Sequence, residues 1–367
     1  MKNRLKFGVW ESVTLLMNLI CSKIFLSYTR LTIEDAGNAG WLSSLVSCIT
    51  AVLIFTILLK LHKRFENSDI LDIAEVAGGK FLRMAMGLVI SAILFIITVT
   101  VLREYSEDIK VIVLTLSPLS YVMIFYAIGM VVGCLLGIEA IVRFAAIAIP
   151  VIASGYILII LGVIPHMDYT NLFPILGTGP EDIVVNGIIR SSVFMELLAI
   201  FLLPPFLENY KNVRRVAYIV FGFSSFFLIT ASLTYIMANS YPSSLEPFLP
   251  IYYMARLVNL GRFFERIESL FVVIWSISAL LYLSASFYFM VYAFAKAAGL
   301  KYIRPLILPF MIIVFCAAFL PENLVTVIKF DSNYIYKSIG IIAFAITAII
   351  MAAANLKGGA KKEARSK

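Results

Sequence analysis

The sequence predicts an all-α integral membrane protein of ten transmembrane helices with both termini on the cytoplasmic side. Composition is the first reason: 61% of the 367 residues are hydrophobic and 14% are charged. A soluble domain has about half apolar and about a quarter charged residues. The second reason is continuity. The apolar stretches run long enough to cross a hydrocarbon layer ~30 Å thick as helices, and they lack the alternating segments of about ten residues that build an outer-membrane barrel. The third is where the positive charge lies. When alternate loops are assigned to one side, most of the Lys and Arg residues fall on the side of the termini, including Lys60, Lys63, Arg64, Arg143, Arg214, Arg215, Lys296 and Lys301. Positive charge accumulates on the cytoplasmic side. The net charge of +8 is therefore a membrane-topology signal spread over short loops and ends, and no nucleic-acid partner is expected.

Taken in order, the spans are expected near residues 8–31, 39–61, 81–105, 119–138, 141–164, 185–207, 215–238, 263–295, 303–321 and 334–356. They form a single ten-helix domain over 1–367, with a first half at about 8–164, a second at about 185–356 and a basic cytoplasmic tail at 357–367. The first run follows Lys2, Arg4 and Lys6 as a signal peptide would, but it is too long and no small-residue cleavage site follows, so it reads as an uncleaved helix. Trp41 opens the second span at an interface. Residues 63–80 read as an interfacial helix starting at Asn67 or Ser68 and stopping at Gly78-Gly79. After the third span, Arg103 and Glu107 are four apart and can pair on a solvated helical extension. Gly129, Gly133 and Gly137 share one face of the fourth span, where another helix can approach closely. The outer loop 167–180 is stopped by Pro174, Gly177 and Gly179 and is expected to fold back as a cap; residues 251–260 are too short to cross.

Two charges stand deep in apolar sequence. Lys23 lies roughly 22 Å past Gly8, and Glu196 ~16 Å past Val185, both within the hydrocarbon depth. An ionisable group at the centre of a span costs about 2.5–3.5 kcal/mol on insertion scales and is therefore paired, wetted or functional. Each is the natural partner of the other. Arg262, Glu265, Arg266 and Glu268 form i,i+3 and i,i+4 pairs at the mouth of the eighth span, readable as an outer-vestibule ion network. Four widely spaced cysteines and two loop histidines show neither metal-ligand spacing nor a nucleophile–base arrangement, so no metal, cofactor or enzymatic role is expected.

Several blocks bring a resemblance. KIFLSYTR (23–30), AGNAGWLSSL (36–45), LREYSEDIK (102–110), GIEAIVR (137–143), NLFPILGTG (171–179) and GRFFERIESLFVVIW (261–275) together resemble the membrane B subunit of Ger-type spore-germination nutrient receptors, a branch of the amino acid–polyamine–organocation superfamily. The resemblance implies a LeuT-like fold with a 5+5 inverted repeat, residence in the inner membrane of a bacterial endospore, and A-type and lipoprotein C-type subunits as partners. It also implies an amino-acid-class germinant. Ten spans divide into two sets of five, which places the first and sixth spans at corresponding positions around a central site. Transporters of this superfamily unwind the first span at glycines whose bare amides hold a carboxylate. MNLICSKIFLS (17–27) has no glycine, so Lys23 is expected to supply the positive charge, with Asn18 and Ser22 as donors and with Ser192 and Glu196 across the pocket. The alternative is a proton-coupled secondary transporter of amino acids or polyamines.

Overall fold

In the first apolar segment the α-helix is lost halfway, at a polar stretch. In the computed structural model, which describes residues 7–207, 209–258 and 267–366, α1 (Val9–Cys21) tightens into a 3₁₀ turn over Ser22–Phe25. Leu26 then leaves helical space (φ −101°, ψ −147°), and α2 (Tyr28–Ala36) resumes. Broken backbone at membrane depth persists only where neighbours satisfy it. Here the Tyr105 hydroxyl donates to the Ser22 carbonyl at 3.1 Å, and the Leu26 N–H donates to the Lys23 carbonyl at 3.1 Å.

A turn with Gly37 at φ +57° leads into α3 (Gly40–His62). The long α4 (Ile70–Ile112) is N-capped by Asp69, one residue beyond the expected start, and is broken at Gly78-Gly79 as the sequence predicts. α5 (Leu119–Leu136) ends at Gly137, and α6 (Ile138–Val163) follows directly. A Cβ on Gly129 would lie 2.3 Å from a Leu280 methyl, so this position brings α5 close against α10 (described below). α7 (Pro180–Arg190) passes into twelve residues of 3₁₀ helix, Ser191–Leu202, and the segment ends at the Pro204–Phe206 turn. α8 (Tyr210–Ala238) crosses back, and α9 (Pro250–Leu257) buries Ile251, Met254 and Ala255. α10 (Ile267–Ala297) and α11 (Arg304–Ala317) precede a last segment in three parts: α12 (Leu324–Phe330), a π-helical stretch Asp331–Ile339, and α13 (Gly340–Ser366).

Among the described residues, eight helical stretches are long and apolar enough to cross a membrane by length and composition. α1, with 13 residues, and α11, with 14, are shorter. α10 lies against α4, α5 and α6, and α1 packs between α6 and α8. The centre of the bundle holds Trp275, Tyr105, Tyr282 and Phe194, while large side chains such as Leu53, Ile57, Phe125, Ile147 and Ile312 face outward. An outward apolar surface of that extent suits lipid and would be a liability in water. The chain is an all-α, multi-pass integral membrane protein.

Two local expectations change. Arg103 and Glu107 do pair, at 2.8 Å, but their side chains are only 6% and 14% exposed, so the pair is packed into the bundle. The loop 167–180 docks mainly through polar and backbone contacts, with Asn38 donating to the Phe173 carbonyl at 2.7 Å and the Thr178 N–H to the Ala36 carbonyl at 3.4 Å. Phe173, Ile175 and Leu176 stay about half exposed.

Candidate functional site

The 3₁₀ turn at the break turns Lys23 inward, and the 3₁₀ half of the sixth segment presents Glu196 to it. Their ammonium and carboxylate are joined directly, and both side chains are almost fully buried. Lys23 Nζ also donates to the Val193 carbonyl at 2.8 Å and lies 5.2 Å from the centroid of the Tyr336 ring. The second carboxylate oxygen of Glu196 accepts from the Tyr282 hydroxyl at 2.9 Å. A buried ion pair survives when its remaining donors and acceptors are met; Val193 and Tyr282 do this here. The pair thereby ties the first segment to the sixth, with α10 supplying Tyr282 and the π-helical stretch supplying Tyr336.

The other expected residues make their contacts elsewhere. Asn18 exchanges two hydrogen bonds with Ser278, donating to its carbonyl at 3.0 Å and accepting from its hydroxyl at 2.8 Å. The Ser22 hydroxyl is buried without a partner. Ser192 donates to the Ile189 and Tyr336 carbonyls, and its side chain fits against Gly340 of the last segment. Asn18, Ser22 and Ser278 border a cavity of about 20 Å³, and Glu196 borders a mainly apolar one of about 60 Å³ toward α4 and α13. A water needs roughly 10–15 Å³, so each cavity has room for a group of that size, and the larger one reaches Glu196. Arg262, Glu265 and Arg266 lie outside the described residues; Glu268 stands in the first turn of α10.

Sequence reading missed a set of buried carboxylates. Glu104 accepts from the Ser27 hydroxyl at 3.1 Å, and Asp108, one helical turn along α4, has an oxygen buried with no partner. Asp331 is 5% exposed and lies within electrostatic reach of Lys23, Glu196 and Arg190. Glu104 and Asp108 were masked by their charged neighbours, which look like a solvated face. Asp331 sits where Lys329 and Lys337 dilute the hydropathy, so the last span was expected to begin after it. The i,i+4 spacing of Glu104 and Asp108 was the available signal.

At the opposite end of α4, Asp69 accepts from the N–H groups of Leu71 and Asp72, from Tyr292 at 3.0 Å and from Lys296 at 2.5 Å. Burial pushes its carboxyl up from the ordinary range, and the Lys296 ammonium opposes that rise.

A family model described as "Spore germination protein" matches residues 9–327. Among curated proteins the chain is similar to "Spore germination protein A2" of Bacillus subtilis (strain 168), 22% identical, covering 81% of this chain and 80% of that one. It is also similar to "Spore germination protein YndE" of the same organism, 24% identical, over 74% and 75% of the two chains. Among solved structures it resembles a Na⁺-coupled sialic acid symporter in a substrate-bound outward-open state, with TM-score 0.67, 10% identity and coverage of 96% and 91%. It also resembles MhsT in complex with L-phenylalanine, with TM-score 0.63, 13% identity and coverage of 97% and 99%. The fold is LeuT-like, and the first of these neighbours is a symporter.

Proposed function

The chain belongs to the spore germination protein family, and from that premise we propose that it is the membrane subunit of a nutrient receptor. In this reading it binds a small germinant of the amino acid class at the centre of a ten-pass bundle with cytoplasmic termini. The bundle is a 5+5 inverted repeat in the inner membrane of a bacterial endospore, and A-type and lipoprotein C-type subunits are its partners. The two curated relatives are germination proteins, which supports the process; the site supports the ligand class.

The observation that carries the reading is the contact between Lys23 and Glu196, which spans the two interrupted segments. In this state the ammonium of Lys23 is spent on an internal carboxylate. A ligand carboxylate acts by taking the place of Glu196 on Lys23, with Asn18, Ser22 and Ser192 close by as polar groups. Ligand shifts the balance between two conformations only through unequal affinity for them. Breaking the Lys23–Glu196 tie in one conformation and not in the other supplies that inequality.

The test is the germinant dose–response of spores carrying Lys23→Met or Glu196→Gln, with subunit assembly checked by immunoblot. Loss of response in Lys23→Met at normal assembly is the expected result; an unchanged dose–response rejects the reading. The second reading is a secondary transporter of amino acids or polyamines in which Glu196 carries a proton; one fold neighbour is a symporter, coupled to Na⁺. Uptake of labelled amino acids by proteoliposomes of this chain alone, driven by a pH gradient, would establish transport instead.

A further inference from the structure

A separate, more polar cavity lies at the far end of the first segment, between α2, α7 and the start of the last segment. Its volume is about 250 Å³, and its charged walls are Arg30, Arg190, Lys329, Lys337, Glu34 and Asp35. Both carboxylates are already engaged: Arg30 Nε donates to Glu34 at 2.9 Å and Arg190 Nε to Asp35 at 2.5 Å. Arg190 Nη2 reaches the Ser332 hydroxyl at 3.4 Å, but Nη1 of this 2%-exposed residue is buried with no acceptor. Lys329 and Lys337 are exposed and have no acidic partner among the described residues. The cavity thus holds an excess of cationic donors, one of them a fixed guanidinium, beside apolar walls from Leu31, Phe248 and Ile328.

We propose that this cavity is a separate docking site for a small organic carboxylate, held by Lys329, Lys337 and Arg190 with its apolar part against Phe248. An orphaned guanidinium donor beside two unpaired ammonium groups calls for an anionic acceptor, and the apolar walls favour an organic carboxylate over an inorganic anion. Arg190 joins the sixth segment to Asp35 at the end of α2, so an occupant touches both interrupted segments without reaching Lys23. The proposal goes beyond the central pocket and does not need it.

The test is thiol protection in the purified full-length chain in nanodiscs. Cys316→Ser removes the exposed native thiol, and Asn333→Cys places one on the cavity wall. A charged thiol reagent is applied with L-valine, N-acetyl-L-valine, valinamide or inorganic phosphate. At twice its dissociation constant a fully protecting ligand slows labelling about threefold. The expected result is protection by L-valine and N-acetyl-L-valine, none by valinamide, and loss of protection in Lys329→Gln/Lys337→Gln, both exposed positions. Protection persists when the paired substitution Lys23→Met/Glu196→Leu is added, which removes the central charges without leaving one unpaired and so separates this site from the central one. Absence of protection by either carboxylate, equal protection by phosphate, protection that survives the double lysine variant, or its loss in the Lys23→Met/Glu196→Leu background would each overturn the proposal.

Discussion

Lys23 and Glu196 are 173 residues apart in sequence and bound to each other inside the bundle, each beside an interruption of regular α-helix. Removing one partner of a buried pair leaves an uncompensated charge, at a cost of about 3–5 kcal/mol, while replacing both by apolar groups is often near neutral. Lys23→Met and Glu196→Leu are each expected to lower the thermal midpoint of the detergent-solubilised chain strongly, and the double variant to recover most of the loss. A double variant no more stable than the worse single one would mean that the two charges are not coupled.

Tyr282 acts on the same carboxylate from α10. Hydrogen bonds to charged groups contribute about 1.5–3 kcal/mol, so Tyr282→Phe is expected to destabilise by about that amount in the wild-type chain. In a Glu196→Leu background the same substitution is expected to cost far less. Thermal melts of the four variants form the cycle that measures it.

The far end of α4 gives a prediction in two parts. Asp69→Asn keeps an N-cap oxygen but loses the charge that Lys296 meets; Asp69→Ala loses both. A cap alone is worth about 1 kcal/mol, so Asp69→Ala is expected to be the less stable of the two by roughly that amount. Faster amide exchange in residues 70–77 of Asp69→Ala, measured by mass spectrometry, checks the location of the effect.

Gly177 has φ +50°, and a Cβ there would lie 2.0 Å from the Ala36 carbonyl oxygen. Backbone cannot yield as a side-chain tip can, so Gly177→Ala must lift the loop from the end of α2. Limited proteolysis within residues 173–178 is expected to quicken while the rest of the chain keeps its protection. Unchanged cleavage would show that the loop is not held there.

The membrane class and the two deep charges were legible because insertion into lipid is a one-dimensional constraint. Each residue of a span meets the hydrocarbon on its own account, so Lys23 and Glu196 stand out by position alone. Asp69 was harder to place, since Asn67 and Ser68 are equally good caps by type. Glu104, Asp108 and Asp331 were illegible for another reason: whether a charged run faces water or a neighbouring helix depends on what packs over it.

By itself, then, the sequence determined that this chain crosses a bilayer repeatedly and that two opposite charges must be accommodated within it, because apolar length and isolated ionisable groups carry their transfer energies whatever their neighbours. Only the tertiary structure decided that the first segment breaks without a glycine, since the carbonyl freed there is met by Tyr105 from another helix. It also decided that Lys23 is neutralised by Glu196, whose other oxygen is met by Tyr282, and that Arg190 is left with an unspent donor beside Lys329 and Lys337. These are relations between distant segments, and hydrogen bonds and ion pairs act over a few ångströms that only the folded chain brings together.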